Sequence, residues 1–367
     1  MKKPNFLRQI LLLKHLKGLF LVSLIALMSA CGESDVTPIN READVIIINE
    51  GNFGSADGTL STYTSSNKAV NLSVFAGANG FPFAATIQNV LEYDGNYYAI
   101  TNNTDKVEVF KKEDFSSVAT IKPSFGAAVQ FATPFSFAAV GTQGYVSNWG
   151  TFNFTTFVYD NPSLVKINLT NFSITSKIAL AAQPQHLLAI GSKIYISLVG
   201  SNQIAVLNTS NDQFETPITV EQGPDKMLID KNGKLWVMCN SGYLVRINPN
   251  TNAVEATIPN VQSSGFNEKM AIDGDGETLY YLSSTGFNPS TGAVYAIDIT
   301  ATTAPNQALI SGNNFYGVGI DPVTDIIYVG DNKNFQSNGI VIRYQTNGTT
   351  LDTLASGRGP NGFLFRK

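Results

Sequence analysis

The sequence is poor in the residues that build covalent staples and metal centres. Its 367 residues include two cysteines, Cys31 and Cys239, and two histidines, His15 and His186. So few ligands cannot assemble a thiolate cluster or a multi-histidine metal site, and no metal or cofactor is expected. Charged residues make up only 14% of the chain. No Gly-x-Ser-x-Gly elbow accompanies His186, so a Ser–His–acid triad has no local signature. Sialidase-type Asp boxes are absent, as are a phosphate-cradling Gly-rich loop and a long amphipathic helical pattern. No catalytic residue is assigned. What remains is abundant: 43% apolar residues, 31 glycines and 15 prolines, the mixture of an ample core and many turns.

The first thirty residues read as an address. Lys2, Lys3, Arg8, Lys14 and Lys17 form a basic n-region. Gly18 to Leu27 is an apolar core too short for a comfortable membrane span. Met28-Ser29-Ala30 then precedes Cys31 in a pattern that resembles a bacterial lipobox, in which the cysteine becomes the lipid-bearing first residue. A signal peptide without lipidation is the alternative. The expected domains are a signal peptide over 1–30, a lipidated tether over 31–43 and a repeat domain over 44–367. Glu33 and Asp35 resemble the surface-export signal of Bacteroidota lipoproteins, or belong to an ordinary solvated tether. A lipid on Cys31 leaves Cys239 alone, without a disulfide partner, as a small buried hydrophobe. Residues 1–30 hold five of the 24 Lys and Arg and none of the 28 Asp and Glu. The remainder thus carries 19 basic against 28 acidic residues, a net charge of −9. Nucleic acid is therefore not an expected partner, and membrane attachment is expected through the lipid rather than through basic residues.

The stretch Gln222 to Pro259 is the ruler for the rest. It holds four strand-like runs, Asp225–Asp230, Lys234–Cys239, Tyr243–Asn248 and Ala253–Ile258, separated by Asn, Gly and Pro turns. A lone meander of this size cannot bury both faces, so it must stack on copies of itself. Aligning second strands on Trp236 gives Ile46, Tyr98, Tyr145, Tyr195, Tyr280 and Tyr328, spaced 41 to 52 residues apart. Seven such units predict an all-β, seven-bladed β-propeller of four-stranded blades. The first unit begins at its second strand, and the tail Gly359 to Phe365 repeats the Gly-Pro opening of Gly223-Pro224. That C-terminal strand is expected to complete the first blade and close the ring. Asp273 to Glu277 occupies the position of the Lys231-Asn232-Gly233 turn and reads as turn chemistry rather than a calcium loop.

In a propeller the loops leading into the inner strands share one face with the loops joining second and third strands. The former supply Gly80 to Phe83, Pro134-Phe135, Pro184-Gln185-His186, Pro224-Asp225-Lys226, Phe266 to Lys269, Asn314 to Tyr316 and Pro360-Asn361. Four long second-to-third loops place a phenylalanine seven residues after the aligned position: Phe53, Phe152, Phe287 and Phe335. That regularity suits structural anchors, with ligand-binding residues as the competing reading. The third loop, Asn148 to Pro162, packs Trp149, Phe152, Phe154, Phe157 and Tyr159 into eleven residues, as a contact surface would; a protruding two-stranded hairpin that buries some of them is the alternative.

The whole mature chain resembles the YncE-like, surface-layer-type propeller lipoproteins of Bacteroidota. The likeness is carried by Met28–Cys31, by Asn49-Glu50-Gly51-Asn52-Phe53-Gly54, and by Gly-Pro openings followed by Asn-Gly-Lys-Leu-Trp-Val. Some relatives capture cobalamin at the cell surface and sit on a TonB-dependent transporter. The resemblance implies an outer-membrane lipoprotein, facing the surface or the periplasm, that binds a scarce nutrient without catalysis. Trp149, Phe135, His186, Lys226, Lys269 and Tyr316 are then expected to stack on or hydrogen-bond the ligand. An interaction scaffold gripping another envelope protein is the second reading. A glycan-active hydrolase using Asp225 and Glu268 is the third.

Overall fold

The computed structural model describes residues 44–123, 131–265, 267–286 and 290–366. The expected signal peptide, the expected tether with Cys31, and the aromatic residues Phe266 and Phe287 lie outside them. Seven antiparallel blades follow one another in chain order, as the repeats require. The first contains Asp44–Asn49, Thr59–Thr64 and Ala69–Asn71. The second runs through Thr86–Tyr93, Asn96–Asn102, Lys106–Lys111 and Ser117–Ile121. The third comprises Pro134–Val140, Gln143–Asn148, Ser163–Asn168 and Ser173–Ala179. In the fourth, Pro184–Ile190, Lys193–Leu198 and Gln203–Asn208 are followed by an outer strand broken into Gln213–Phe214 and Ile218–Thr219.

The fifth blade is the ruler stretch, realised as Pro224–Ile229, Leu235–Cys239, Tyr243–Asn248 and Ala253–Pro259. The sixth has Met270–Ile272, Thr278–Thr285, Thr291–Asp298 and Ile310–Asn313. The seventh has Phe315–Ile320, Ile327–Asp331, Ile340–Tyr344 and Thr350–Ala355. The C-terminal strand Pro360–Arg366 then pairs antiparallel with Asp44–Asn49, placing Ile47 opposite Phe363. It is the innermost strand of the first blade, so the ring closes as expected. Among the described residues one short α-helix, Val74–Asn79, departs from the repeat pattern; it carries Phe75 into the core beside Phe83, ring centroids 3.9 Å apart.

Why the second strands are continuous apolar runs follows from period-two geometry. Ile46 and Ile48 pack toward the second blade, whereas Val45 and Ile47 pack toward the seventh. Trp236 and Met238 likewise face the sixth blade, and Leu235, Val237 and Cys239 face the fourth. A strand buried on both faces needs apolar residues at every position. The aligned residues Ile46, Tyr98, Tyr145, Tyr195, Trp236, Tyr280 and Tyr328 are all buried, each in a cluster shared with the next blade. Burying one such side chain contributes on the order of 2–3 kcal/mol. Cys239 is packed in the same way, and burial pushes its thiol up to about 12.

The turns carry their own chemistry. Asp230 Oδ1 accepts the N–H groups of Asn232 and Lys234, while its Oδ2 accepts Trp236 Nε1–H at 2.9 Å. Asp273 accepts Glu277 and Thr278 N–H at 2.8 and 3.0 Å, the same turn device one blade further on. Gly223, ahead of Pro224, has φ +71°, and a Cβ there would stand 1.7 Å from Asn240 Oδ1. Only glycine fits that approach.

Candidate functional site

The inner strands are bent where they begin. In six of the seven, the inner strand carries one residue more than the second strand opposite it near the loop face. Such a bulge leaves backbone N–H groups without ladder partners and re-aims the side chains beside it. In the third blade Ser147 Oγ takes up the orphaned N–H groups of Phe135 and Ser136, at 3.2 and 2.7 Å. In the fourth, Ser197 Oγ accepts the N–H of His186 at 2.9 Å. Gln88, Asp225-Lys226, Tyr316 and Asn361 occupy the matching bulges of other blades.

These residues surround the central channel, which holds a cavity of about 420 Å³ lined by the inner strands of all seven blades. That volume lies within the range of small-molecule sites. Its wall is polar toward the loop face, with Gln88, His186, Lys226, Glu268 and Lys269. Deeper it becomes apolar, with Leu91, Leu188, Leu228, Ile272, Ile320 and Phe365.

The basic groups lie on the fourth to sixth blades. Lys226 Nζ and His186 Nε2 are 3.0 Å apart. Burial, reinforced by the charges of Lys226 and Lys269, holds the imidazole well below its ordinary range, so His186 is neutral and its Nε2 accepts from the ammonium. Burial and the nearby Lys269 charge bring Lys226 down to about 8. Lys269 is also lowered by burial; it donates to Asn267 Oδ1 at 3.2 Å and lies 5.8 Å from the Tyr316 ring centroid.

The acids are already engaged. Asp225 Oδ2 accepts the backbone N–H of Glu268 at 3.0 Å, and burial pushes its carboxyl up to about 6. The Glu268 carboxylate accepts the N–H groups of Ser264 and Gly265 at 3.1 and 2.8 Å, clasping its own loop. Burial, with the Asp225 charge adding, brings Glu268 up to about 7. Glu50 gathers three donors: Gln88 Nε2 at 3.0 Å, Asn361 Nδ2 at 3.1 Å and the Tyr316 hydroxyl. Burial first, and the Glu50 charge second, raise Tyr316 well above the usual phenol range.

Of the six side chains expected at the ligand, Phe135, His186, Lys226 and Lys269 line the cavity. Tyr316 sits beside them on Glu50 and against Phe335, ring centroids 4.9 Å apart. Trp149 is placed differently from the expected exposed cluster. It is only 7% exposed, stands 4.5 Å from Phe135 and donates its indole N–H to Pro184 O at 3.1 Å. It backs the wall without forming it. The loop beyond it is a two-stranded hairpin, Thr151–Asn153 with Val158–Asp160, whose tip residues Phe154 and Phe157 are 80% and 76% exposed.

The fixed-offset phenylalanines do not behave as one set. Phe335 packs on Tyr316, whereas Phe53 is 70% exposed and its carbonyl accepts from Asn103 Nδ2. Asn267, from the expected loop Phe266 to Lys269, also lines the cavity, whereas Gln88 lies outside the expected entering loops. The second inner strand starts at Thr86, later than Gly80 to Phe83, and no Gly-Pro opening marks it.

The fold is that of a seven-bladed propeller with a cavity in its central channel. Residues 44–359 match the family described as domain of unknown function DUF5074, and the chain belongs to that family. No curated protein matches it. Among solved structures, the periplasmic gluconolactonase of Pseudomonas aeruginosa is similar at TM-score 0.65 and 10% identity, over 89% of this chain and 99% of that one. A putative 6-phosphogluconolactonase from Bacteroides fragilis is similar at TM-score 0.62 and 14% identity, over 91% and 100%. A quinonprotein alcohol dehydrogenase-like protein from Bacteroides thetaiotaomicron is similar at TM-score 0.63 and 16% identity, over 89% and 78%. At such identities the likeness is one of fold alone.

Proposed function

We propose that this chain is a lipid-tethered binding module of the cell envelope that captures a small nutrient in its central channel. The anchor is Cys31, and the partner that receives the cargo is a TonB-dependent transporter of the outer membrane. One observation carries the binding role: bulges at the start of the inner strands turn charged and amide side chains from successive blades into one cavity of about 420 Å³. Packing alone would fill a channel with apolar side chains, as happens deeper in this one. A corrinoid is far larger than this cavity, so cobalamin capture would occupy the outer loop face. The channel suits a small molecule.

A second reading, an envelope scaffold without a small-molecule ligand, is favoured by the exposed Phe154 and Phe157 at the hairpin tip. Native mass spectrometry on protein drawn gently from detergent-solubilised membranes separates the two. An added small-molecule mass, with or without a transporter, supports capture. A complex with another envelope protein and no added small mass supports the scaffold.

A further inference from the structure

The cavity wall carries two half-buried ammonium groups, and among the described residues no carboxylate oxygen is in contact with either. Lys226 Nζ spends one N–H on His186 Nε2, and Lys269 Nζ spends one on Asn267 Oδ1. Among the described residues neither lysine has a carboxylate oxygen within ion-pair distance. Three acids stand nearby, yet each is turned to other donors. Glu268 clasps two backbone N–H groups of its own loop. Asp225 receives the Glu268 N–H. Glu50 is surrounded by Gln88, Asn361 and Tyr316.

Leaving two like charges without a contact counter-ion is costly in a site partly withdrawn from water. The fold gains nothing evident from it, since methionine or leucine would fill the same wall. What the arrangement provides is a set of unspent ammonium N–H donors beside a cavity. Charge-assisted hydrogen bonds from such donors to an oxyanion are among the stronger polar contacts available. Phe135, held in place by Trp149, supplies an apolar surface in the same cavity.

We propose that the channel ligand carries an oxyanion, a carboxylate or a phosphate, seated between Lys226 and Lys269, with its remaining body against Phe135 and the amides Gln88 and Asn267. This inference rests on the channel-binding reading above and specifies its ligand class.

Isothermal titration calorimetry on the purified chain tests it with three probes: gluconate, inorganic phosphate, and sorbitol as the uncharged counterpart of gluconate. The expected result is that at least one anion binds about tenfold or more tightly than sorbitol, and that Lys226→Met and Lys269→Met each weaken it by about tenfold or more. Lys226→Arg and Lys269→Arg keep the charge and should retain the preference for anions, which separates lost charge from lost fold. A response to phosphate alone assigns a phosphate ester, and a response to gluconate alone assigns a carboxylate. Equal binding of sorbitol and gluconate, unmoved by the lysine substitutions, overturns the oxyanion while the channel reading stands. Silence from all three probes up to about 10 mM also overturns it. The channel reading fails separately, if membrane-derived protein carries no added small-molecule mass.

Discussion

Lys226 Nζ lies 3.0 Å from His186 Nε2, joining the inner strands of the fourth and fifth blades inside the channel. The contact fixes the imidazole as an acceptor and spends one of the three ammonium donors. It also ties the proton inventory of the site to its binding capacity.

Anion affinity should therefore fall as pH rises from 6 to 9. Lys226, brought down to about 8 by burial and Lys269, loses its charge near the top of that window. Asp225 and Glu268, pushed up to about 6 and about 7, gain negative charge in its lower half. Lys269, His186, Tyr316 and Glu50 face the same space. His186 stays neutral across the window and Tyr316 stays protonated, so the other groups set the direction. Calorimetric titration of gluconate, whose carboxylate is ionised throughout the window, checks this at several pH values; affinity rising with pH would contradict it.

The same carboxyls make stability depend on pH. A carboxyl raised on folding binds its proton more tightly in the native state. Its contribution is fully present below the unfolded values of 3.8 and 4.5 and is lost as pH climbs through about 6 and about 7. Melting temperatures between pH 4.5 and 8 should show the wild type losing stability relative to Asp225→Asn/Glu268→Gln as pH increases. Parallel curves would show that these two groups do not titrate as described.

Gly223 and Gly233 make a matched pair. Both have φ near +70°, but a Cβ meets Asn240 at the first position and open space at the second. Gly233→Ala should cost about 1 kcal/mol. Gly223→Ala should cost roughly 2–4 kcal/mol, because Asn240 or the loop must move. Urea unfolding of the two variants gives the difference directly.

Much of this was legible beforehand because period-two burial writes itself into sequence. The runs around Tyr195 and Trp236 are apolar on both faces, and each Gly-Pro marks where an inner strand begins. The C-terminal strand was found through the same signal, Gly359-Pro360. The second blade shows the limit. Its inner strand opens on Thr86-Ile87 without such a mark, so Gln88 went unnoticed. Trp149 shows another: aromatic density reveals a hairpin, not which ring turns inward. Which donors an acid such as Glu268 would bind depends on its loop's path, and no local pattern encodes that.

Ring closure can be tested by ending the chain at Gly359. That removes the strand pairing with Asp44–Asn49 and takes Phe363 and Phe365 from Tyr328. An open edge and an unfilled channel wall should lower the melting temperature by roughly 10 °C or more and promote aggregation. A monomeric, equally stable product would show that the first blade does not need its inner strand.

The hairpin tip separates the two functional readings. Phe154→Ser/Phe157→Ser should leave the melting temperature and channel binding unchanged, since both rings are exposed. Pull-down of an envelope partner that survives the double substitution would remove the tip from any interface.

The most direct measurement is a crystal structure of protein purified from its own membranes without dialysis. The channel should contain a bound molecule with oxygen atoms about 3 Å from Lys226 Nζ and Lys269 Nζ. A channel holding only water, or a neutral molecule ignoring both lysines, would contradict the account.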